Sequence, residues 1–114
     1  MFRRNRLPRI TAAELKKKIA ENKQHTLLDV RTNEEWKDTG IIPGSVMIEM
    51  QDLPKLLDDG LSFEGKEPVI VICRSGVRSA EVTSYLVNRF GLNAMNLTGG
   101  VIAWYQLGEE LEQI

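Results

Sequence analysis

The sequence predicts an α/β domain of three layers, in which helices cover both faces of a mostly parallel sheet of four or five strands. Helix and strand patterns alternate along the chain, which is the order typical of parallel strands joined by crossover helices. The clearest strand patterns are TLLDV (residues 26–30) and PVIVIC (68–73), short apolar runs of the kind buried on both sides. A chain of 114 residues has the usual length of one domain.

The domain is expected to occupy residues 10–114 and to follow a basic N-terminal tail at residues 1–9. The tail contains four arginines and no acid, and we interpret it as solvated because no apolar stretch of signal-peptide length follows it. Fifteen basic and sixteen acidic residues nearly cancel, so the composition does not favour a nucleic-acid partner. The longest apolar run is far too short to cross a membrane, so no membrane association is expected.

Two capping-box patterns predict where the first two helices begin. Thr11 is followed three residues later by Glu14, and Thr32 by Glu35. In such a box the threonine side chain accepts from the backbone of the glutamate, whose carboxylate accepts from the threonine backbone. Gly40 is expected to end the second helix.

The remaining elements are predicted from the spacing of apolar residues. Val46, Ile48 and Met50 alternate as in a strand, and a helical stripe begins at Leu53. Further on, the patterns indicate a helix from about residue 78 to 90, a strand at 94–97, and a last helix after Gly99 and Gly100. Trp36 and Trp104 are expected to be core residues.

The chain has one cysteine, Cys73, and one histidine, His25. A single cysteine cannot form an intramolecular disulfide, and this pair alone cannot build a metal site. These counts favour a reducing, cytoplasmic location and predict no bound metal. They also place any thiol chemistry at Cys73.

Cys73 ends the predicted central strand, and a glycine-containing loop and a helix follow it directly. Ligands of parallel sheets bind at the carboxyl ends of the strands, and the first turn of a helix favours an anion. Arg74 and Arg78 add positive charge, so we expect the thiolate to be stabilised. The alternative is that Cys73 is a small buried apolar residue with an inert sulfur.

Four segments resemble single-domain rhodaneses, in the order in which that family has them. C-R-S-G-V-R-S (73–79) is similar to the family's active loop, and L-D-V-R with E-E-W (28–36) to its D-V-R segment. G-I-I-P-G-S (40–45) resembles its G-H-I-P-G-A turn, and L-T-G-G-V-I-A-W (97–104) its L-x-G-G-x-x-A-W signature. The departure is Ile41, where the family often has histidine, and it could alter which partner docks.

The resemblance implies a rhodanese-like fold and a sulfurtransferase. Sulfane sulfur would move from thiosulfate or a persulfide donor to a thiol or cyanide, through a persulfide on Cys73 and without a cofactor. A protein donor or acceptor also remains open. The expected cradle comprises the loop residues Arg74, Ser75, Gly76, Val77, Arg78 and Ser79. Arg78 would either attract the anionic donor or hold the shape of the loop.

Asp29 and Arg31 come at the same predicted sheet edge as Cys73. We expect a buried structural pair rather than a catalytic one, because buried charges need partners. His25 comes before the strand that Asp29 follows, at the opposite edge, so it is not expected to act as a base toward Cys73.

Two other functions remain open. Phosphatases and arsenate reductases also hold an anion in a cysteine loop, but with five residues between cysteine and arginine, whereas four separate Cys73 from Arg78. The chain also offers no evident acid for an alcohol leaving group. The second alternative is an interaction module without activity, which the presence of Cys73 makes less favoured.

Overall fold

The computed structural model describes residues 7–114, and that part of the chain contains five strands and five α-helices. The strands are β1 (Arg9–Ile10), β2 (Thr26–Asp29), β3 (Val46–Met47), β4 (Val69–Ile72) and β5 (Ala94–Leu97). The helices are α1 (Ala12–Ala20), α2 (Asn33–Thr39), α3 (Leu53–Asp58), α4 (Val77–Phe90) and α5 (Gly100–Gln106). A short 3-10 helix, Met50–Asp52, leads into α3.

The strands form one sheet in the order β1-β5-β4-β2-β3, and every pairing is parallel. The central strand is β4, with β2 on one side and β5 on the other. All five strands therefore end at the same edge of the sheet. The predicted α/β fold with a parallel sheet is confirmed.

Alternate side chains of β4 pack into two separate cores. Ile70 and Ile72 contact the core shared with α1 and α5, which includes Trp104. Val69 and Val71 face the core shared with α3 and α4. Because both faces of the strand are covered by helices, its residues are uniformly apolar, as the sequence indicated. The three-layer arrangement is thus confirmed.

Both predicted capping boxes form. Thr11 Oγ1 accepts from the Glu14 N–H at 3.1 Å, and Glu14 Oε1 accepts from the Thr11 N–H at 2.9 Å. The same reciprocal bonds join Thr32 and Glu35. Gly40 follows the last residue of α2 with a φ of 85°, which explains why glycine stands there.

The predicted strand through Val46, Ile48 and Met50 is shorter than expected, because β3 ends at Met47. The amides of Ile48 and Met50 still donate to the carbonyls of Asp29 and Val30, at 3.1 and 3.2 Å. The chain then turns into the 3-10 helix, which an alternating apolar pattern does not reveal.

The expected tail boundary is also shifted. Arg9 pairs in β1 with Asn96 of β5, so the sheet includes a residue assigned to the tail. The first six residues of the tail, with Arg3, Arg4 and Arg6, lie outside the described residues. A strand of two residues is too short to produce a recognisable sequence pattern.

Candidate active site

Cys73 lies directly after β4, at the carboxyl edge of the sheet. Its carbonyl accepts from the Val101 N–H of α5 at 3.0 Å instead of continuing the sheet, so the predicted strand ends one residue early. The residue is only 1% exposed, and α4 begins four positions later at Val77. This connection places the sulfur beneath the first turn of α4.

Three hydrogen bonds converge on Cys73 Sγ. It accepts from the backbone N–H of Gly76 at 3.1 Å, from that of Ser79 at 3.3 Å, and from Ser79 Oγ at 3.2 Å. Burial raises the pKa of the Cys73 thiol, but these donors and the Ser75 amide outweigh it, so the pKa lies below its ordinary value. The loop therefore stabilises a thiolate that is almost completely shielded from solvent.

Two glycines allow the loop to fold this tightly. Gly76 has a φ of 105°, and a Cβ there would lie 3.2 Å from the Gly99 nitrogen. Gly100 has a φ of 58°, and a Cβ there would collide with the carbonyl oxygens of Cys73 and Arg74. The start of α5 can approach the back of the loop only because Gly100 has no side chain.

The two loop arginines have different surroundings. Arg78 donates through Nη1 to Glu35 Oε1 at 2.7 Å and through Nη2 to Glu35 Oε2 at 2.8 Å. Arg74 is exposed, and its guanidinium forms no ion pair within residues 7–114. Arg78 therefore links α4 to α2, whereas Arg74 presents its charge to solvent.

Glu35 belongs to the site, although its sequence pattern indicated only a helix cap. Its bonds to Arg78, and further ones from Thr32, lower the pKa of this carboxyl to about 2 despite its partial burial. In the sequence, the capping box is enough to explain why a glutamate stands at position 35. No local pattern connects Glu35 with Arg78. Its contact with the loop became visible only in three dimensions.

Asn96 is a second residue that the sequence did not single out. From β5 its Nδ2 donates to the Gly76 carbonyl at 3.0 Å, and its Oδ1 lies 2.5 Å from Ser79 Oγ. The only available signal was a polar residue in the otherwise apolar strand AMNL, next to the strand that carries Cys73.

Asp29 and Arg31 form the expected buried pair. Arg31 Nη2 lies 2.8 Å from Asp29 Oδ2, and the side chains are 1% and 0% exposed. Arg31 also donates to Thr39 Oγ1 and to the Gly40 carbonyl, both at 2.8 Å. The pair joins the end of β2 to the end of α2, which is a structural arrangement.

The match with a known family covers nearly the whole domain. Residues 11–107 match the family model described as the rhodanese-like domain. The chain belongs to the rhodanese-like family.

Individual relatives are similar over most of their own length. YtwF of Bacillus subtilis is 38% identical over 95 residues, which cover 83% of this chain and 87% of YtwF. A sulfurtransferase of Allochromatium vinosum is 30% identical over 99 residues, covering 87% and 89%. A rhodanese-like domain protein of Staphylococcus aureus superposes with a TM-score of 0.74 at 39% identity, over 85% of this chain and 90% of that one.

At Ile41 this rhodanese-like domain has a buried apolar side chain where the resemblance suggested histidine. Ile41 is 4% exposed, and its backbone forms an antiparallel bridge with Glu112 near the C-terminus. The position lies under the C-terminal segment and outside the group of residues that touch Cys73 Sγ.

A cleft of about 730 Å³ borders the loop of this rhodanese-like domain at Arg74. Ile102 and Tyr105 of α5 line one side, and Glu35 and Asp38 of α2 line another. His25 lies elsewhere, before β2 at the amino edge of the sheet, half-buried with its Nδ1 2.7 Å from the Lys23 carbonyl oxygen. The expected placement of His25 at the edge opposite Cys73 is therefore what the structure has.

Two kinds of feature are absent from the described part of the chain. None of its helices combines the length and the apolar character needed to cross a membrane. Residues 7–114 also contain no group of three or more His, Cys, Asp or Glu side chains placed to hold a metal ion.

Proposed function

We propose that this rhodanese-like domain transfers sulfane sulfur through a persulfide on Cys73. The observation that supports this most directly is the set of hydrogen bonds from Gly76 and Ser79 to Cys73 Sγ, which stabilise a thiolate at the end of the central strand. The match to the rhodanese-like family and the similarity to a sulfurtransferase support the same reaction.

In the first half of the reaction, the Cys73 thiolate attacks the outer sulfur of thiosulfate. A bond forms between Cys73 Sγ and that sulfur while the sulfur–sulfur bond of thiosulfate breaks, and sulfite leaves with the electron pair. A persulfide donor reacts in the same way and releases its own thiolate. Arg74, whose charge faces solvent beside the cleft, is suited to attract the anionic donor.

In the second half, an acceptor thiolate or cyanide attacks the outer sulfur of the persulfide. The new bond takes that sulfur away, and the electron pair of the broken bond returns to Cys73 Sγ. The loop amides stabilise the charge that develops there, because they already point at the sulfur. The cycle uses no oxidant, reductant, metal or further cofactor, and it requires a compartment in which Cys73 stays reduced.

The cleft beside Arg74 is large compared with thiosulfate, and we propose that it also admits a bulkier persulfide or an extended segment of a protein donor or acceptor. Apolar side chains from α5 and carboxylates from α2 line it on different sides. Such a mixed lining suits an organic thiol better than a bare inorganic anion.

The decisive test is the intact mass of the protein after incubation with thiosulfate or with a cysteine desulfurase and cysteine. Wild type should gain the mass of one sulfur atom and lose it on addition of cyanide. Cys73→Ser should fold and gain nothing, since a neutral hydroxyl does not hold sulfane sulfur. Cys73-independent gain of sulfur, or no gain from either donor, would contradict the proposal.

A parallel assay addresses the phosphatase alternative. Four residues separate Cys73 from Arg78, and Glu35 occupies both arms of the Arg78 guanidinium. An oxyanion would therefore find this arginine already engaged. We expect no Cys73-dependent hydrolysis of small phosphomonoesters, and efficient turnover would favour the phosphatase over the sulfurtransferase.

A further inference from the structure

Asn96 contacts the loop from the neighbouring strand β5, through both the nitrogen and the oxygen of its side-chain amide. Nδ2 donates to the Gly76 carbonyl at 3.0 Å, and Oδ1 lies 2.5 Å from Ser79 Oγ. A carbonyl oxygen can only accept, so Gly76 determines which end of the amide faces Ser79. The opposite orientation would place the amide oxygen against the Gly76 carbonyl and leave both without a hydrogen.

Ser79 Oγ therefore faces two acceptors and carries one hydrogen. It is 3.2 Å from Cys73 Sγ and 2.5 Å from Asn96 Oδ1, and the residue is completely buried, so bulk solvent does not reach the hydroxyl. With the hydrogen directed at Asn96, Ser79 turns lone pairs toward the sulfur. That arrangement suits a thiol, which can donate its own hydrogen to Ser79, and opposes a thiolate.

We propose that Asn96 is a positioning residue that competes with the Cys73 sulfur for the hydrogen of Ser79 Oγ. The role of this competition rests on the sulfur transfer proposed above. In the persulfide the negative charge lies on the outer sulfur, and the hydrogen points to Asn96. When the electron pair returns to Sγ, the hydrogen turns to the sulfur and the bond between Ser79 and Asn96 is given up.

The competition suits a sulfur that must act in both halves of the reaction. Cys73 Sγ is the nucleophile toward the donor and the leaving group toward the acceptor. A lower thiol pKa improves the leaving group but weakens the nucleophile. Backbone amides stabilise the thiolate permanently, whereas the Ser79 hydroxyl contributes only when charge is present, at the cost of its bond to Asn96.

The charged groups around the sulfur are not altered by changes at Asn96 or Ser79. Strand β5 and helix α5, which pack behind the loop, contribute no acidic or basic side chain, and Tyr105 of α5 is exposed. The ionised groups on the other neighbouring elements are Asp29 and Arg31 at the end of β2, Arg74 of the loop, and side chains of α2 and α4: Glu34, Glu35, Lys37, Asp38, Arg78, Glu81 and Arg89. A change of Cys73 pKa in the variants below therefore reports the hydroxyl and the amide.

The test is the pH dependence of Cys73 alkylation by iodoacetamide in wild type, Asn96→Leu, Ser79→Ala and the double variant. Asn96→Leu should lower the Cys73 pKa by about half a unit to one unit, because the hydroxyl no longer has a second acceptor. The high-pH plateau rate should fall roughly twofold, as expected for a weaker nucleophile. In the Ser79→Ala background, Asn96→Leu should produce neither change.

Asn96→Leu removes the bond from Asn96 to the Gly76 carbonyl both in wild type and in the Ser79→Ala background. The effect of that loss on the Cys73 pKa therefore cancels when the two backgrounds are compared. Asn88→Leu is the matched control. Asn88 Nδ2 donates to Ser84 Oγ at 3.0 Å on an exposed part of α4, the helix that also carries Ser79. Asn88→Leu should leave the Cys73 pKa unchanged. Asn96→Ala replaces the leucine variant if circular dichroism shows that the latter does not fold.

Two alkylation results would overturn the proposal: a Cys73 pKa that stays or rises in Asn96→Leu, or an equal lowering of that pKa in the Ser79→Ala background. In folded wild type the side-chain amide resonances of Asn96 should titrate with the Cys73 midpoint, and a flat titration would overturn it independently. Alkylation needs no sulfur donor, so these outcomes are separate from failure to load sulfur on Cys73.

Discussion

Arg78 and Glu35 are joined by two charge-assisted hydrogen bonds, of 2.7 and 2.8 Å, although 43 positions separate them in the sequence. The bonds connect the first turn of α4 with the first turn of α2, where Glu35 also caps its helix. One carboxylate thereby fixes both the helix that follows the Cys73 loop and the helix beside it. The positive charge of Arg78 is largely neutralised, which distinguishes it from Arg74.

This difference predicts that Arg74, rather than Arg78, supplies the charge that attracts an anionic donor. Arg74→Ala should raise the KM for thiosulfate about tenfold, because it deletes a charge at the entrance to the loop that has no ion-pair partner within residues 7–114. Arg89→Ala, which changes the net charge equally at the far end of α4, is the control and should have little effect. Steady-state kinetics with thiosulfate and cyanide would measure both, and equal KM values in both variants would remove Arg74 from the binding site.

Glu35 predicts how stability depends on pH. Its pKa is about 2 in the folded protein against an ordinary value of 4.5, so the folded state favours the ionised form. The resulting stabilisation is complete above about pH 4.5 and is lost as the pH falls toward 2. Glu35→Gln should therefore lower the Tm at neutral pH, and the difference from wild type should shrink through that acidic range.

Thermal unfolding monitored by circular dichroism between pH 7 and pH 2 would show this convergence. Glu34→Gln is a suitable control, because Glu34 is exposed in the same helical turn and does not contact Arg78. A difference between wild type and Glu35→Gln that stays constant with pH would mean that the ion pair with Arg78 does not contribute to stability.

The buried pair predicts strongly non-additive stabilities. Arg31→Leu leaves the carboxylate of Asp29 buried without its partner and should cost about 3–5 kcal/mol of unfolding free energy. Replacing both Asp29 and Arg31 by leucine should cost less than the sum of the single changes, since no uncompensated charge remains. Urea unfolding of the three variants would give the coupling, and strict additivity would contradict it.

His25 provides a negative prediction. Because it lies before β2, at the edge of the sheet opposite Cys73, His25→Ala should keep the rate and the pH profile of sulfur transfer close to those of wild type. Loss of a general base would lower the rate by about a hundredfold or more. A folded His25→Ala protein with such a loss would contradict the placement of His25 and Cys73 at opposite edges of the sheet.

The sequence was sufficient for those features that depend on local patterns. The helix starts at Thr11 and Thr32 could be predicted because a capping box depends on residues only three positions apart. The place of Cys73 could be predicted because an apolar run precedes it and a glycine-containing loop follows it. The contacts of Glu35 and Asn96 with the loop depend on how α2 and β5 lie beside it. Such relationships leave no periodic trace, so they could not be predicted from one sequence.

Most of the donors to Cys73 belong to the main chain. The amides of Gly76 and Ser79 cannot be removed by changing a side chain, and within residues 7–114 Ser79 Oγ is the one side-chain donor. An alanine scan of the loop would therefore leave its principal anion-binding groups in place and underestimate them. The sensitive positions are instead those that set backbone shape. Gly100, which touches no reacting atom but has no room for a Cβ beside the carbonyls of Cys73 and Arg74, should tolerate substitution least.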